Sequence, residues 1–332
     1  MIAMLTRFAL ALLAISSVAI AACADENVRP LTIKSSTLPL NTGEEHATSI
    51  GKLVHRGTLR LSSPDKDFGG ISGLIVADDG ERFLAVTDSS HWLAGKLTYR
   101  DGKLSGASGL EIAPLLDLDG HALSGKDGDA EGLAGSLDGE VFVSFERDHR
   151  IWRYAAGARG LAARAERVAT PAALSGAPAN SGLEGITLLS DGRLLALTEA
   201  FADDAGNYRG WLIAPDGKVS AGDLALKPRM PFELTDVRQL ANGDVLTLER
   251  RFNTIGGIGF EMRRIAGSTV SEGAVLDGEV VADAGMNFII DNMEGLSVRK
   301  GADGETLVYL ASDDNFNAPL QQTLIMMFEL KD

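Results

Sequence analysis

The amino-acid sequence predicts an all-β fold, a β-propeller built from four-stranded blades. Three observations lead to this prediction. One hairpin signature recurs five times along the chain. Its copies are about 50 to 60 residues apart, which is near the period of a propeller blade with its loops. No helical periodicity of any length follows the N-terminal segment. A β-sandwich is the alternative, but sandwiches do not repeat one hairpin signature at near-constant spacing.

Each copy of the signature is an apolar strand, a DG or NG turn and a second, more strongly apolar strand. The turn glycine supplies the positive φ that a tight hairpin needs. The five copies are ISGLIVADDGERFLAVTDS from Ile71, AEGLAGSLDGEVFVSFERD from Ala130, LEGITLLSDGRLLALTEAF from Leu183, LTDVRQLANGDVLTLERRF from Leu234 and MEGLSVRKGADGETLVYLASDD from Met293.

Further strands follow each hairpin, such as HRIWRYAAG and AERVATPA after the second copy, so the repeating unit has about four strands. The last copy supplies only three strands and ends with QQTLIMMFEL. We expect Leu53 to Ser62 to provide the fourth strand of that blade. Pairing the two ends of the chain would close the ring and remove two exposed sheet edges. Five blades are the most economical count, and six are the alternative.

The first residues have the layout of a secretory signal peptide. One basic residue, Arg7, precedes an apolar run from Phe8 to Ile20 that ends in small residues, and the run is too short for an ordinary membrane span. We therefore assign residues 1–23 to a signal peptide, 24–51 to a flexible, polar arm or tether, and 52–332 to the propeller domain.

Two cleavage modes fit this segment. Ile20-Ala21-Ala22-Cys23 resembles the lipobox of bacterial lipoproteins, in which Cys23 becomes the lipidated first residue, whereas Ala22-Cys23-Ala24 fits conventional cleavage before Asp25. Both predict a protein exported to the bacterial cell envelope, either periplasmic or lipid-anchored. Because Cys23 is the only cysteine, the mature chain has no disulfide and no catalytic thiol.

The net charge of −15 argues against binding to nucleic acid or to anionic lipid, and favours cations. No second long apolar run indicates a membrane span. We expect a monomer whose partner is a small anionic or ester substrate.

Acidic residues recur at one position of the repeat. Counting back from the turn glycines brings together Ser72, Glu131, Glu184 and Thr235, and Glu294 joins them across a short insertion. The first strand of a propeller blade is the innermost, so these side chains should ring the central channel. Converging carboxylates require raised pKa values or a bound cation, and Ca²⁺ suits a site with only oxygen ligands. Alternatively, each Glu bonds backbone amides of the next blade and only locks the ring.

A second acidic set closes the second strand of each copy. Antiparallel pairing places the start of one strand beside the end of the next, so both sets should share one rim. Neighbouring basic residues are suited to hold substrate oxygens in two-point contacts, or else to form rim ion pairs. The acids are Asp88, Glu146, Glu199, Glu249, Asp313 and Asp314, and the basic residues are Lys126, Arg147, Arg250 and Arg251.

The loop DGDAEGLAGSLD partly matches a calcium-binding loop through Asp127, Asp129 and Glu131. Glu stands at the fifth ligand position and strands should flank the loop, so it is not an EF-hand. A simpler calcium site is the functional interpretation, and a solvated turn is the structural one. The segment Asp313-x-Asn315-x-Asn317 has the same two interpretations, a simple calcium site or a solvated turn.

Several common active sites are missing from the sequence, including the G-x-S-x-G elbow, the P-loop and the zinc-type H-x-x-x-H pair. Among the histidines, His121 and His149 are the candidates for a general base near the acidic rim.

Several segments of the chain resemble the bacterial phytase-like family, whose domain is described as having the esterase-like activity of phytase. These segments are LDLDGHALSGKDGDAEGLA, EVFVSFERDHRIWRY, LTLERRF, NMEGLSV and LASDDNFNAPLQQTLIMMFEL. The resemblance runs from about Leu53 to the end of the chain. It implies an exported β-propeller and hydrolysis of phosphoesters or carboxylic esters, and it transfers no catalytic set.

The leading hypothesis is a Ca²⁺-assisted hydrolase of phosphate or other esters. Its alternatives are a non-catalytic envelope protein with a binding face and a lactone hydrolase of the gluconolactonase type. The candidate residues fall into three groups: for catalysis Glu184, Glu199, Glu294 and His149, for substrate oxygens Lys126, Arg147, Arg250 and Arg251, and for the metal Asp127, Asp129, Glu131, Glu184 and Glu294.

Overall fold

The computed structural model describes residues 27–43, 47–214, 218–219, 223–253 and 256–332. Within these residues the chain forms five β-sheets arranged as the blades of a propeller, which confirms the predicted fold and the count of five. The predicted signal peptide, including Cys23, lies outside the described residues. No helix in the described ranges is long and apolar enough to cross a membrane.

Four strands precede the first blade: β1 (Arg29–Pro30), β2 (Lys34–Leu38), β3 (Ser49–Ile50) and β4 (Leu53–Ser62). Blade 1 contains β5 (Ile71–Val76), β6 (Arg82–Thr87), β7 (His91–Arg100) and β8 (Lys103–Pro114). Blade 2 contains β9 (Ala130–Gly135), β10 (Val141–Phe145), β11 (Arg150–Tyr154) and β12 (Ala165–Arg167).

Blade 3 contains β13 (Leu183–Leu188), β14 (Leu194–Ala202), β15 (Tyr208–Ile213) and β16 (Leu224–Leu226), and β20 (Val275–Leu276) pairs with β16 in parallel. Blade 4 contains β17 (Glu233–Gln239), β18 (Val245–Asn253), β19 (Gly257–Ile265) and β21 (Glu279–Ala284). Blade 5 contains β22 (Asn292–Lys300), β23 (Thr306–Asp313) and β24 (Thr323–Leu330). The helical segments are α1 (Ala156–Arg159) and the 3₁₀ turns Gly125–Gly128, Gly160–Ala162, Ala172–Gly176 and Gly267–Thr269.

The ring closes where the sequence predicts. β4 pairs antiparallel with β24, from Leu53 opposite Leu330 to Leu61 opposite Thr323, and completes blade 5. Parts of the segment assigned to the arm also join the propeller, since β2 and β3 pair with β4 and β1 pairs with β8. The strand edges at the closing seam are therefore paired, as a stable sheet requires.

The inner strands β5, β9, β13, β17 and β22 contact one another in sequence around the channel. Five apolar cores fill the five junctions between neighbouring blades. The tryptophans of the third strands in blades 1, 2 and 3 lie in these junctions. Trp92, for example, meets Tyr154 of blade 2 edge-on, with ring centroids 5.1 Å apart. With apolar burial on both faces of every blade, packing between blades is the main source of stability.

Every inner strand carries a β-bulge at the same repeat position. In blade 1, Ile71 pairs with Thr87 and Gly73 with Val86, so Ser72 is the extra residue. The register of the other four blades shifts at the corresponding place. A bulge bends the strand and redirects a side chain. In each blade of this protein, the redirected side chain is that of the extra residue.

The glycine after the bulged residue lets the blades approach closely. A Cβ on Gly132 would collide with the carbonyl oxygen of Glu184 in blade 3, and a Cβ on Gly73 would lie 2.7 Å from the Cβ of Leu133 in blade 2. The recurring E-G pair therefore has two structural explanations. The Glu is the redirected residue of the bulge, and the Gly allows close contact between neighbouring inner strands.

Candidate functional site

A pocket of about 380 Å³ opens at the mouth of the channel. We call it the acidic pocket, because carboxylates dominate its lining. Its lining residues are Ser72, Asp88, Asp129, Glu131, Glu146, Arg147, Asn180, Ser181, Glu184, Glu199, Glu233, Arg250, Glu294, Asp313 and Asn315.

The bulged residues of four blades reach this pocket: Ser72, Glu131, Glu184 and Glu294. The fifth, Thr235, does not. Its hydroxyl oxygen lies 3.2 Å from the carbonyl oxygens of both Leu248 and Met293, which share its one donated hydrogen, and it thereby links blade 4 to blade 5. Four of the five predicted ring residues therefore converge, while the fifth secures a blade junction.

The second acidic set is divided in the same way. Asp88, Glu146, Glu199 and Asp313 of the second set line the acidic pocket. Glu249 points elsewhere, because its two oxygens accept bonds from Arg263 at 2.7 and 2.8 Å. Asp314 also lies outside the lining, as its carboxylate accepts bonds from the backbone amide of Gly70 and the hydroxyl of Thr323.

Three lining residues carry no signal in the repeat. Glu233 stands one residue before the fourth copy and lies opposite Arg250 across the hairpin. Asn180 and Ser181 come from the irregular loop that leads into β13. That loop is fixed by the amide of Gly182, which donates to the carboxylate of Glu146 at 2.8 Å. These residues reach the pocket because the loop pairs with the rim of blade 2, and the sequence gives no signal for that pairing.

Two of the four candidate cations line the acidic pocket. Arg250 lies between two acids, with Nη2 at 3.2 Å from Glu199 and Nε at 3.3 Å from Glu294, and Arg147 pairs with Asp129. The other two lie outside the lining. Arg251 stacks over Phe232 with its guanidinium carbon 5.2 Å from the ring centroid, and Lys126 is exposed in a 3₁₀ turn.

Three further candidates from the sequence are also outside the lining. The ring of His149 rests on Gly182, and its Nε2 lies 3.0 Å from the carbonyl of Pro178. Asp127 is exposed, and its backbone carbonyl accepts a bond from Arg150. His121 is exposed beside Asp117.

Arg238 closes the channel further along the inner strands. Its guanidinium donates to the carbonyl oxygens of Leu74 at 3.0 Å, of Leu133, and of Ile186 at 2.9 Å, which are equivalent positions of blades 1, 2 and 3. It also pairs with Asp236 at 2.8 Å. Arg238 of blade 4 therefore ties together the inner strands of blades 1, 2 and 3, although it is not among the residues that line the acidic pocket.

The acidic pocket raises the pKa of its carboxyl groups, because burial disfavours the charged form and neighbouring carboxylates add repulsion. Burial is the larger cause for every group, and the Coulomb effect of other acids contributes to each. The pKa values rise to about 7 for Asp88, Glu146 and Glu199, to about 8 for Glu294 and to about 6 for Asp313, and they rise well above the usual range for Glu131 and Glu184.

The donor set fits a hard cation. Carboxylate oxygens of Asp129, Glu131 and Glu146 lie within 4.8 Å of one another, and so do those of Glu146, Glu184 and Glu199, so that both triads share Glu146. Glu184 is only 8% exposed, yet its carboxylate accepts no hydrogen bond and forms no ion pair among the described residues. The Oδ1 atom of Asp88 is buried and likewise lacks a hydrogen-bond donor there. A buried carboxyl group without a donor either stays protonated or binds a cation, so these oxygens are available as ligands for a cation.

A model of the Phytase-like family, described as esterase-like activity of phytase, matches residues 66–316. The chain belongs to the Phytase-like family. The matched region contains every residue that lines the acidic pocket. The comparison with curated proteins returned no match.

The solved structures that are similar to the chain share little sequence with it. A protein of unknown function from Bacteroides caccae is 14% identical, with 72% of this chain and 66% of that chain covered and a TM-score of 0.31. The Dos1 propeller is 9% identical over 85% of this chain and 76% of its own, with a TM-score of 0.38. A gluconolactonase from Xanthomonas campestris is 13% identical over 91% and 99%, with a TM-score of 0.42.

Proposed function

We propose that this Phytase-like propeller is an exported hydrolase that cleaves phosphate esters or other esters in the acidic pocket, assisted by a divalent cation, Ca²⁺ first among them. One observation carries the proposal. Two carboxylate triads share Glu146, and the buried carboxylate of Glu184 accepts no hydrogen bond and forms no ion pair among the described residues. Together with the family match over residues 66–316, this favours hydrolysis over a purely structural ring.

The residues that would hold the cation are Asp129, Glu131, Glu146, Glu184 and Glu199. They supply only oxygen atoms, which suits Ca²⁺ with its six to eight loosely arranged oxygen ligands. When bound, the cation would polarise the phosphoryl or acyl oxygen and acidify a water molecule. Asp127, a candidate in the sequence, is exposed and outside the pocket lining, so we omit it from the set.

Proton transfer is assigned to Glu294. Its Oε1 accepts a bond from the amide of Asn292 at 2.7 Å and faces Arg250 at 3.3 Å, whereas Oε2 has no such contact among the described residues. Burial raises the pKa of Glu294 to about 8, which suits a group that exchanges protons near neutral pH. In hydrolysis, water adds to the phosphorus or acyl carbon, the ester bond breaks, and the proton lost by water goes to Glu294 and then to the departing alkoxide.

Substrate oxygens are assigned to Arg147 and Arg250. Both guanidinium groups lie in the pocket lining next to carboxylates, and an arginine can exchange such a partner for a phosphate or carboxylate in two-point contact. Arg250 is the more enclosed of the two, with 24% of its side chain exposed against 44% for Arg147. We therefore place Arg250 at the reacting group and Arg147 at the entrance.

Export is proposed from the N-terminal sequence, in which Arg7 and the apolar run precede Cys23. Mass spectrometry of the mature N-terminus distinguishes a lipidated Cys23 from cleavage before Asp25. An intact Met1 on the mature protein would contradict both modes.

Hydrolysis is tested with purified mature protein on phytate, p-nitrophenyl phosphate, p-nitrophenyl acetate and gluconolactone, with added Ca²⁺ and with EDTA. We expect activity on at least one ester, its loss with EDTA, and a loss of about 100-fold in Glu184→Gln, since removing one charged oxygen from a metal site has effects of this order. The exposed Glu272→Gln is the matched control. Calcium binding without turnover of any substrate would favour the non-catalytic alternative.

A further inference from the structure

An exposed aromatic ring borders the acidic pocket where blade 5 meets blade 1. Phe316 is 43% exposed and follows Asn315, which lines the pocket. Its ring atom Cε2 lies 2.7 Å from the point that a Cβ on Gly70 would occupy, and Oδ1 of Asp88 contacts the same point. The ring of Phe316 therefore lies directly beside a pocket carboxylate.

The backbone beneath this ring is in an unfavourable conformation. Asn315 and Phe316 are consecutive residues with φ of 47° and 49°, a left-handed region that aromatic side chains rarely adopt. Among the described non-glycine residues only Ser90, Asp101, Arg147, Asn315 and Phe316 have positive φ. Two of these, Arg147 and Asn315, line the acidic pocket and a third borders it. Such residues gather at functional sites, where the surrounding structure imposes them.

In this protein, hydrogen bonds to two neighbouring aspartates hold Asn315 and Phe316 in this conformation. Oδ1 of Asp313 accepts the amide of Asn315 at 2.6 Å, and Oδ1 of Asp314 accepts the amide of Phe316 at 3.2 Å. Oδ1 of Asp314 also accepts the amide of Gly70 in blade 1 at 3.1 Å, so the loop is tied across the blade junction. The backbone that carries the exposed ring is thus fixed by hydrogen bonds, and a fixed attachment favours a preorganised binding group.

We propose that Phe316 determines specificity by packing against a flat, apolar leaving group of the substrate while the ester group enters the acidic pocket. This rests on the proposed hydrolase function and names its substrate class: aryl or similarly apolar esters. An aromatic ring gains from stacking on another flat apolar group. It gains nothing from a polyol that carries a phosphate on every carbon, so phytate is not the preferred substrate.

The test measures binding without turnover, with phenylphosphonate and methylphosphonate as probes of the calcium-loaded protein in titration calorimetry. We expect phenylphosphonate to bind about tenfold more tightly, as an aromatic pair provides. Phe316→Ala should reduce this ratio to within about twofold, and Phe316→Tyr should retain it. Phe252→Ala is the matched control, since Phe252 is 65% exposed and lies outside the pocket lining.

The outcomes separate this proposal from the hydrolase function. A phenyl preference that Phe316→Ala removes supports the role of Phe316, even if no ester in the panel is hydrolysed. Equal affinities in the wild-type protein, binding of neither phosphonate, or a phenyl preference that persists in Phe316→Ala would each overturn it, even if esters are hydrolysed. A cooperative melting transition of Phe316→Ala well above the temperature of the calorimetry confirms that the variant is folded.

Discussion

Replacing Arg238 by methionine tests how the channel is built. The guanidinium of Arg238 donates hydrogen bonds to carbonyl oxygens of blades 1, 2 and 3 and pairs with the buried carboxylate of Asp236. Asp236 itself is fully buried and accepts the amide of Leu296 at 2.8 Å, so it holds blade 4 to blade 5. Methionine preserves much of the side-chain volume but provides no donor for any of these oxygens.

The expected loss can be worked from these contacts. Breaking a buried ion pair by removing one partner costs about 3 to 5 kcal/mol, and each carbonyl left unsatisfied adds about 1 kcal/mol where water cannot replace the donor. We expect Arg238→Met to lower the free energy of unfolding by about 3 to 8 kcal/mol, depending on how many of the three carbonyl oxygens water reaches. For a chain of this size that is a fall of about 6 to 16 °C in melting temperature.

The loss should depend on pH in a defined direction. Burial raises the pKa of Asp236 to about 7 in the native protein, and removing the arginine raises it further. A carboxyl with a raised native pKa loses stability as pH rises from its unfolded pKa towards its native one. The deficit of Arg238→Met should therefore be larger at pH 8 than at pH 5.5.

Differential scanning calorimetry of four proteins at both pH values measures this: the wild type, the two single variants Arg238→Met and Asp236→Asn, and the double variant. The double variant removes both buried charges and should recover at least about 2 kcal/mol relative to Arg238→Met. A fall of less than 2 °C in Arg238→Met, or no recovery in the double variant, would refute the role assigned to the central guanidinium.

Two further predictions follow from the same structure. Added Ca²⁺ should raise the melting temperature more at pH 8 than at pH 6, because protons compete for carboxylates whose native pKa values are raised, and a pH-independent shift would contradict this. Gly132→Ala should lose about 2 kcal/mol or more in urea unfolding, because its Cβ would strike the carbonyl of Glu184, whereas Gly139→Ala, with nothing within 4 Å, should change stability little.

The sequence predicted the fold because its signals are local and repeated. A turn glycine between two apolar strands specifies a hairpin wherever it occurs, and five copies at similar spacing leave few architectures open. The closing strand Leu53–Ser62 was predictable for another reason. The last blade lacked a strand and the chain offered one alternating apolar segment at its other end, so that edge protection decided the pairing.

The site was predictable only where it follows the repeat. Glu131, Glu184 and Glu294 stand at the bulge of their blades, and the bulge sends all three into the acidic pocket. Blade 4 departs from the pattern, because Asp236 replaces the glycine after the bulge and bonds to the neighbouring blade. Position in the repeat predicts direction, but the partner across the blade junction decides whether a side chain remains in the pocket.

Residues that depend on a loop were beyond prediction. Asn180 and Ser181 enter the acidic pocket only because Glu146 binds the amide of Gly182. Conversely, Asp127 and Asp129 are two residues apart in a calcium-like pattern, yet only Asp129 stands next to the start of β9 and reaches the pocket. Asp127 lies within the 3₁₀ turn Gly125–Gly128, whereas Asp129 follows the turn, so the two side chains face different surroundings.

The acidic pocket links stability to the proposed chemistry. Carboxyl groups with raised native pKa values, Glu184 and Glu294 among them, lower the stability of the native state as pH rises above the unfolded pKa near 4. Apolar packing in the five blade junctions offsets that loss of stability, so the propeller can fold despite the electrostatically unfavourable acidic pocket. A cation that binds only the native state reverses the loss, by an amount that grows with its concentration. The residues best placed for hydrolysis are therefore also those whose removal, as in Glu184→Gln, should stabilise the calcium-free protein at pH 8.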